Sequence, residues 1–529
     1  MSFELRDRDL LGRIGRISVK GKTLETPAFM PVVNPLIETI PPIRLREEFG
    51  CEIIITNSYI IRNHFKDIPN LELHKLLDYD GVVMTDSGAY QILVYGEVEV
   101  TQPEIIEWQK QIGSDISVIL DIPTGWDVPR ETVEYTVEET LRRAKAALPL
   151  IEDTPNLWVG PIQGGKHLDL VAESAKRVGE MPFDIHALGS PTEVMERYMY
   201  PVLVDMAMTA KLNAPVERPI HLFGAGHPNM FAMSVAMGYD LFDSAAYALF
   251  AKDERYLTNR GTYIFKDLQY LPCSCPICRN RSPEDLRALP KGERQRLLAE
   301  HNMHVTMAEM ETVKQAITEG SLWDLVETRA KGHAQMMAAL KTLTKYSKYL
   351  EEGSPGFKGK GVFYYDYHSL AKPEVIRYKN RLLNNYQKPA DKDIQILLTA
   401  PPRKPFNKNQ GFRKLKKQTE EYSDRVHYCF MAAPYGLVPE YLAETYPTSQ
   451  YQMAEPLDYE TVQYTVDCIM EYLERHPMKH TIIVYNDTQV DNELIKRLDG
   501  KYPAFLSKEL GETETAEKLV EFLKKLRKQ

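Results

Sequence analysis

Eight short β-rich runs alternate with helix-like stretches over the first 250 or so residues, and few folds accommodate that rhythm. The runs are TPAFMPVV (26–33), EIIITNSY (52–59), GVVMTDSG (81–88), ISVILDIP (116–123), LWVGPIQG (157–164), IHALGS (185–190), PIHLFGAG (219–226) and LFDSA (241–245). Residues 102–112, 130–148, 168–178, 191–211 and 229–237 have the composition and spacing of the intervening helices. Such alternation is the signature of a parallel sheet closed by helices. Eight βα units in about 250 residues match the size of a (β/α)₈ barrel, the TIM-barrel architecture of α/β proteins. A doubly wound open sheet is the structural alternative.

Polar residues gather where a barrel carries its chemistry. Asp86, Asp121, Gln163, Gly189, Gly224, Gly226 and Asp243 lie at or near the C-terminal ends of these runs, the face that bears catalysis in barrel enzymes. Singly, Asp and Gly after a strand are ordinary turn and capping residues. Collectively they supply two carboxylates for nucleophilic and acid/base work, Asp86 and Asp243. Asp121 and Gln163 offer a carboxylate and an amide able to match the edge of a heterocycle, and glycines let backbone approach a flat ligand.

A second cluster points to metal. Cys273, Cys275 and Cys278 crowd into six residues, with His301 further on. Three thiolates and an imidazole suit one tetrahedral Zn²⁺, and four protein ligands leave no open position for water, so such a zinc is structural. His304 is the rival fourth ligand. The other cysteines, Cys51, Cys429 and Cys468, are scattered singly, as in a reducing compartment.

With 43% hydrophobic residues among 529, the chain has material for more than one core. The charged N-terminus has no apolar stretch of signal-peptide length, and no segment approaches the roughly 18 uninterrupted apolar residues of a spanning helix. No membrane association and a cytoplasmic location are therefore expected. The net charge of −9 gives no overall basic field, so any nucleic-acid binding must use local patches.

From about residue 346 the pattern changes. Residues 346–375 read as a linker, and 376–529 as a smaller C-terminal α/β domain with strands at 394–400, 426–436 and 480–487 and helices at 459–475 and 515–528. Arg403, Lys404, Lys408, Arg413, Lys414, Lys416 and Lys417 place seven positive charges in fifteen residues. Such a run either docks phosphates or forms a solvated helix face.

The stretches TDSGAYQ (85–91), SDISVILDIPTG (114–125), GPIQGG (160–165), DIHALGS (184–190), HLFGAGHP (221–228), DLFDSAAYALFAKDERYLTNRGT (240–262) and CSCPIC with His301 resemble the tRNA-guanine transglycosylase family, most closely its archaeal, archaeosine-type branch. The resemblance covers residues 1 to about 345, a catalytic barrel that includes a zinc-binding subdomain at about 265–310. It implies exchange of guanine in the D-arm of tRNA, at position 15, for the deazaguanine preQ0 through a covalent Asp–ribose intermediate, a step of archaeosine biosynthesis. Asp243 then resembles the nucleophile and Asp86 the acid/base carboxylate, although from sequence the two roles are interchangeable. Asp121, Gln163, Gly189 and Ser190 resemble the base-binding set, with Ser190 departing from a Gly-Gly pair of relatives. Tyr90, Tyr247 and Phe250 could stack on the base, and core packing is the competing role for each. The implied partners are tRNA, free preQ0 and guanine, and a second copy of the chain. No segment reads as the PUA-type RNA-binding domain that often ends archaeal relatives. A separate PUA-containing chain or a downstream archaeosine synthase is thus a further candidate partner. A catalytically silent tRNA-binding subunit is the alternative function, opposed by the presence of both aspartates.

Overall fold

The computed structural model describes residues 3–37, 39–89 and 100–527, so Tyr90 lies outside the described residues. The chain divides into two compact units, Met1–Pro355 and Gly356–Gln529.

The first unit opens with an antiparallel sheet of three strands, β1 (Phe3–Asp9), β2 (Gly12–Val19) and β3 (Lys22–Thr26). Eight parallel strands follow: β4 (Ala28–Pro31), β5 (Ile53–Asn57), β6 (Val82–Asp86), β7 (Ile116–Val118), β8 (Leu157–Ile162), β9 (Ile185–Leu188), β10 (Ile220–Leu222) and β11 (Leu241–Ser244). Each neighbours the next in sequence, and β11 pairs with β4. Past the end of β4, Val32 bridges Ile55 and the Val33 amide donates to the Ile55 carbonyl at 2.8 Å, which closes the ring. The fold is a (β/α)₈ barrel, as the alternation predicts.

Side chains of a strand alternate between its two faces. The inward row therefore includes Met30, Ile55, Met84, Val159, Ala187 and Leu241, which pack with Ile17, Val19 and Leu24 from β2 and β3 into one buried core. The N-terminal sheet thus contributes to the barrel's filling, a role that the sequence reading missed. Arg13 on β2 also makes a two-pronged ion pair with Asp240, both contacts at 2.8 Å, just before β11. The opposite end is left for function.

The outer helices form where apolar residues recur every three to four positions. In the helix Arg130–Ile151, Val133, Val137, Leu141, Ala144, Ala147 and Ile151 are buried against Ile119, Trp158 and Phe183. Each large member contributes roughly 2 kcal/mol by leaving water. The single helix expected over 191–211 is instead two, Thr192–Glu196 and Tyr200–Asn213, interrupted where Tyr198 adopts φ +56° and Pro201 opens the second. After the barrel come a hairpin of β12 (Arg255–Leu257) and β13 (Thr262–Ile264), the cysteine segment, and the long helix Lys291–Glu319.

Residues 346–375 are not a free linker. Ser347–Gly353 is helical with Leu350 fully buried, and the Ser354 hydroxyl accepts from the Leu10 amide at 3.1 Å. Further on, β14 (Val362–Tyr364) is itself part of the second unit and pairs with another of its strands. Leu350, Val362 and Tyr364 supply the buried apolar contacts that a Gly/Pro/Lys-rich composition concealed.

The second unit is a smaller α/β body. Strands β15 (Ile394–Thr399), β16 (Val426–Ala432), β17 (Gly436–Pro439), β18 (Tyr451–Met453), β19 (His480–Tyr485) and β20 (Ala504–Leu506) are joined by helices including Tyr459–Arg475 and Thr513–Arg527. Its main sheet runs β17–β16–β15–β19–β20, parallel except for β17, and β14 pairs with β18. All six residues of β15 are buried, as expected of a parallel strand covered on both faces.

Candidate active site

A cavity of about 1760 Å³ opens at the C-terminal ends of the barrel strands, and Asp86, Asp121, Gln163, Gly189, Ser190 and Asp243 all line it. The two-residue period delivers several of these groups. Continuing the inward rows by one step leads from Met84 to Asp86, from Ala187 to Gly189 and from Leu241 to Asp243.

Asp243 is held through one oxygen. Its Oδ1 accepts from Nε2 of His221 at 2.8 Å and from the Gly224 amide at 2.9 Å, whereas Oδ2 has no donor among the described residues. Gly224 has φ +70°, a conformation that suits glycine and turns its N–H toward the carboxylate. His221 is fully buried on β10, and its Nδ1 has no partner among the described residues. A carboxylate oxygen requires a donor, so the imidazole proton resides on Nε2.

Asp86 is held differently. Its Oδ1 accepts from the Asn57 amide nitrogen at 2.8 Å and from the Gly88 amide at 2.7 Å. Asn57 faces Asp86 because the two are register partners at the ends of β5 and β6. Burial, with a smaller contribution from the charge of Asp243, pushes the Asp86 carboxyl up to about 7, and the two hydrogen bonds only partly oppose this. Near neutral pH it can therefore carry a proton.

Asp121 and Gln163 form a polar edge between them. Gln163 Nε2 donates to Asp121 Oδ2 at 2.7 Å, and Gln163 Oε1 accepts from the Ser190 hydroxyl at 3.0 Å and the Thr124 amide at 3.2 Å. Burial raises Asp121 to about 6 despite the Gln163 hydrogen bond. A side chain at Gly189 would fall 2.2 Å from Gln163 Nε2, so that glycine is required for the amide to sit where it does. Tyr247 is buried and donates to the Val32 carbonyl at 3.1 Å, a packing role. Phe250 lines the cavity beneath the Arg255 guanidinium, 5.6 Å from the ring centre. Sequence reasoning overlooked Asn57 and His221, although both fall in inward strand rows.

Apart from this cavity, one ligand atom from each of Cys273, Cys275, Cys278 and His301 lies within 4.8 Å of the others. His301 Nδ1 is 3.5 Å from Cys275 Sγ and 3.4 Å from Cys278 Sγ, close to the edge of about 3.6 Å that tetrahedral Zn–S and Zn–N bonds imply. Nε2 of His301 faces the Leu257 carbonyl at 3.0 Å, which puts the ring proton there and turns the Nδ1 lone pair to the thiols. These four residues fit a metal ion. His304 is outside the cluster, its ring against Phe49 at 4.5 Å.

The comparison with known families follows the same residues. Residues 8–335 match the model described as queuine tRNA-ribosyltransferase. The chain belongs to the queuine tRNA-ribosyltransferase family. Residues 375–526 match a domain of unknown function (DUF5591). A protein of Methanocaldococcus jannaschii named tRNA-guanine(15) transglycosylase is 42% identical over 471 residues, 87% of this chain and 70% of its own length. A protein of the same name from Haloferax volcanii is 42% identical over 491 residues, 92% of this chain and 90% of its own. One from Pyrococcus furiosus is 48% identical over 387 residues, 72% of this chain and 65% of its own. Both matched stretches of the first-unit site, the barrel-mouth cavity and the cysteine cluster, lie inside the segment assigned to the queuine tRNA-ribosyltransferase family.

Among the described residues, no helix is long and apolar enough to cross a membrane.

Proposed function

We propose that this chain is a tRNA-guanine transglycosylase that replaces guanine 15 of tRNA with preQ0, a step toward archaeosine. The observation that carries the reading is the convergence of two differently held aspartates and a purine-matching edge, Asp121 with Gln163, in one cavity. The names of the archaeal relatives support position 15.

In this reading the target nucleotide leaves its stack and enters the cavity. Oδ2 of Asp243, which has no donor among the described residues, attacks C1′ of the ribose. The C1′–N9 bond breaks, its electron pair stays with guanine, and the protonated Asp86 gives guanine a proton. An ester now joins Asp243 to the ribose, and the phosphodiester backbone is untouched. Guanine exchanges for preQ0, the Asp86 carboxylate takes the N9 proton of the incoming base, and N9 displaces Asp243. Two inversions give net retention, the logic of a retaining glycosidase.

Asp121 accepts from the N1–H and 2-amino side of either base while the Gln163 amide donates toward the 6-oxo group. The metal that Cys273, Cys275, Cys278 and His301 would hold is zinc, by the soft donor set and closed tetrahedral spacing. It would brace the segment after β11 and stand apart from the chemistry.

The test is incubation with unmodified tRNA and radiolabelled guanine, then with unlabelled preQ0. Label should enter intact tRNA and be chased out by preQ0. Absence of incorporation would favour a tRNA-binding subunit without chemistry, and release of guanine to leave an abasic site would favour a hydrolytic glycosidase.

A further inference from the structure

Ser190 is in an unusual position for a residue that is not glycine. It follows Gly189 at the end of β9 with φ +63°, the left-handed region that glycine adopts most readily. Its hydroxyl both accepts and donates there. Oγ accepts from the Thr124 amide at 2.8 Å and donates to Gln163 Oε1 at 3.0 Å.

These contacts decide which way the Gln163 amide points. A backbone N–H only donates, so the Gln163 atom 3.2 Å from the Thr124 amide must be the oxygen. The Ser190 hydroxyl, which accepts from that same Thr124 amide, gives its one proton to Oε1, an atom that can only accept. Nε2 is thereby turned to Asp121 at 2.7 Å, with one hydrogen left for a ligand. The opposite orientation would set Oε1 against the Asp121 carboxylate, offer an acceptor to the base, and leave the serine hydroxyl facing an N–H₂ group.

We propose that Ser190 is a specificity-determining positioning residue: its hydroxyl, together with the Thr124 amide, latches Gln163 so that the cavity presents a donor, and thus accepts a 6-oxo purine and rejects a 6-amino one. The inference rests on the base-exchange reading above and adds to it the means by which the 6-position is discriminated.

The test compares guanine with 2,6-diaminopurine, which keeps the 2-amino group but has an amino group at position 6 and no N1–H; the N1 difference is read by Asp121 in wild type and variants alike, so a change of preference between them reports position 6. Equilibrium dialysis gives the ratio of dissociation constants for the two bases, and exchange assays give KM and kcat. The variants are Ser190→Gly, whose backbone suits φ +63°, and Ser190→Ala, which keeps Cβ and loses only the hydroxyl. Both should keep the wild-type melting temperature within a few degrees while the preference for guanine falls on the order of tenfold, the worth of one lost hydrogen bond. KM for guanine should rise by more than kcat falls. An unchanged preference in both variants overturns the latch, as does a loss of stability and kcat with the preference intact, which is the mark of a structural role only. Wild-type protein that binds guanine without exchanging it would sink the transglycosylase reading, and the dialysis ratios of the variants would still decide for or against the latch.

Discussion

His221 Nε2 lies 2.8 Å from Asp243 Oδ1, and the Gly224 amide holds the same oxygen at 2.9 Å. Two donors on one oxygen fix the carboxylate plane and aim Oδ2 into the cavity mouth. His221→Phe should therefore lower the rate of covalent adduct formation on the order of a hundredfold, as removal of one preorganised donor does elsewhere. Single-turnover experiments with tRNA check this. A wild-type rate in His221→Phe would mean that Gly224 alone orients the aspartate.

Asp243→Ala should abolish exchange and leave tRNA binding nearly intact, since in the proposed mechanism only the covalent partner of C1′ is lost. Denaturing gels of enzyme with tRNA and a base analogue should show a trapped adduct in wild type and none in the variant. An adduct that persists in Asp243→Ala and vanishes in Asp86→Ala would reverse the roles of the two aspartates.

Asp86 makes activity and stability respond to pH in the same sense, both falling as it loses its proton. Its carboxyl is raised by burial to about 7. In the proposed mechanism the first half-reaction needs it protonated, so kcat/KM for tRNA should decline above about pH 7. Asn57 donates to the carboxylate and lowers that value, so Asn57→Ala should move the alkaline limb to higher pH. For folding, the native state binds the proton more tightly than the unfolded chain, so stability falls as pH rises from about 4 to about 7. Asp86→Asn should thus unfold at a higher temperature than wild type at pH 8 while losing exchange. The gain should be roughly 2 kcal/mol, less than the full shift implies because the carboxyl is open to the cavity. Equal melting temperatures at pH 8 would contradict the burial argument.

The purified protein should contain one tightly bound zinc per chain. Cys275→Ser should lower zinc content, destabilise the segment between β11 and the helix Lys291–Glu319, and reduce activity only through lost folding, because four protein ligands would leave a bound zinc no open position for chemistry. Elemental analysis and limited proteolysis measure both effects. Full zinc and stability in Cys275→Ser would refute the ligand set.

The basic run of the second unit has a sharper prediction than its charge count suggests. Phe412 and Leu415 bury one face of the helix Gln410–Gln418, Lys416 pairs with Glu440, and Lys408 pairs with Glu444 at 2.5 Å. Arg403, Arg413 and Lys417 form no ion pair among the described residues. Replacing these three by Ser should flatten the logarithmic salt dependence of tRNA binding by roughly 2–3, about 0.9 per phosphate contact. Turnover at saturating tRNA should stay as in wild type. An unaltered slope would mark the run as a solvated face.

The barrel was legible in the sequence because parallel strands buried on both faces read as short apolar runs. Their two-residue period also places Asp86, Gly189 and Asp243 at strand ends on the inward side. The cysteine spacing and the choice of His301 were legible for a similar reason, since ligand type and spacing are local properties. Periodicity failed where backbone conformation broke it, as at Tyr198 between two helices, and where sparse apolar residues found partners far away, as Leu350 does.

What the sequence determined by itself was the set of chemical groups and the strand ends that carry them. Only the tertiary structure decided how those groups differ. Asp86 and Asp243 are the same residue type at equivalent places, and they part company because parallel register sets Asn57 beside one while β10 sets a buried histidine beside the other. Gln163 likewise acquires a direction only when Thr124 and Ser190, remote from it in sequence, close on its oxygen. Desolvation and hydrogen-bond direction depend on what surrounds a group in space, and no local sequence pattern encodes that surrounding.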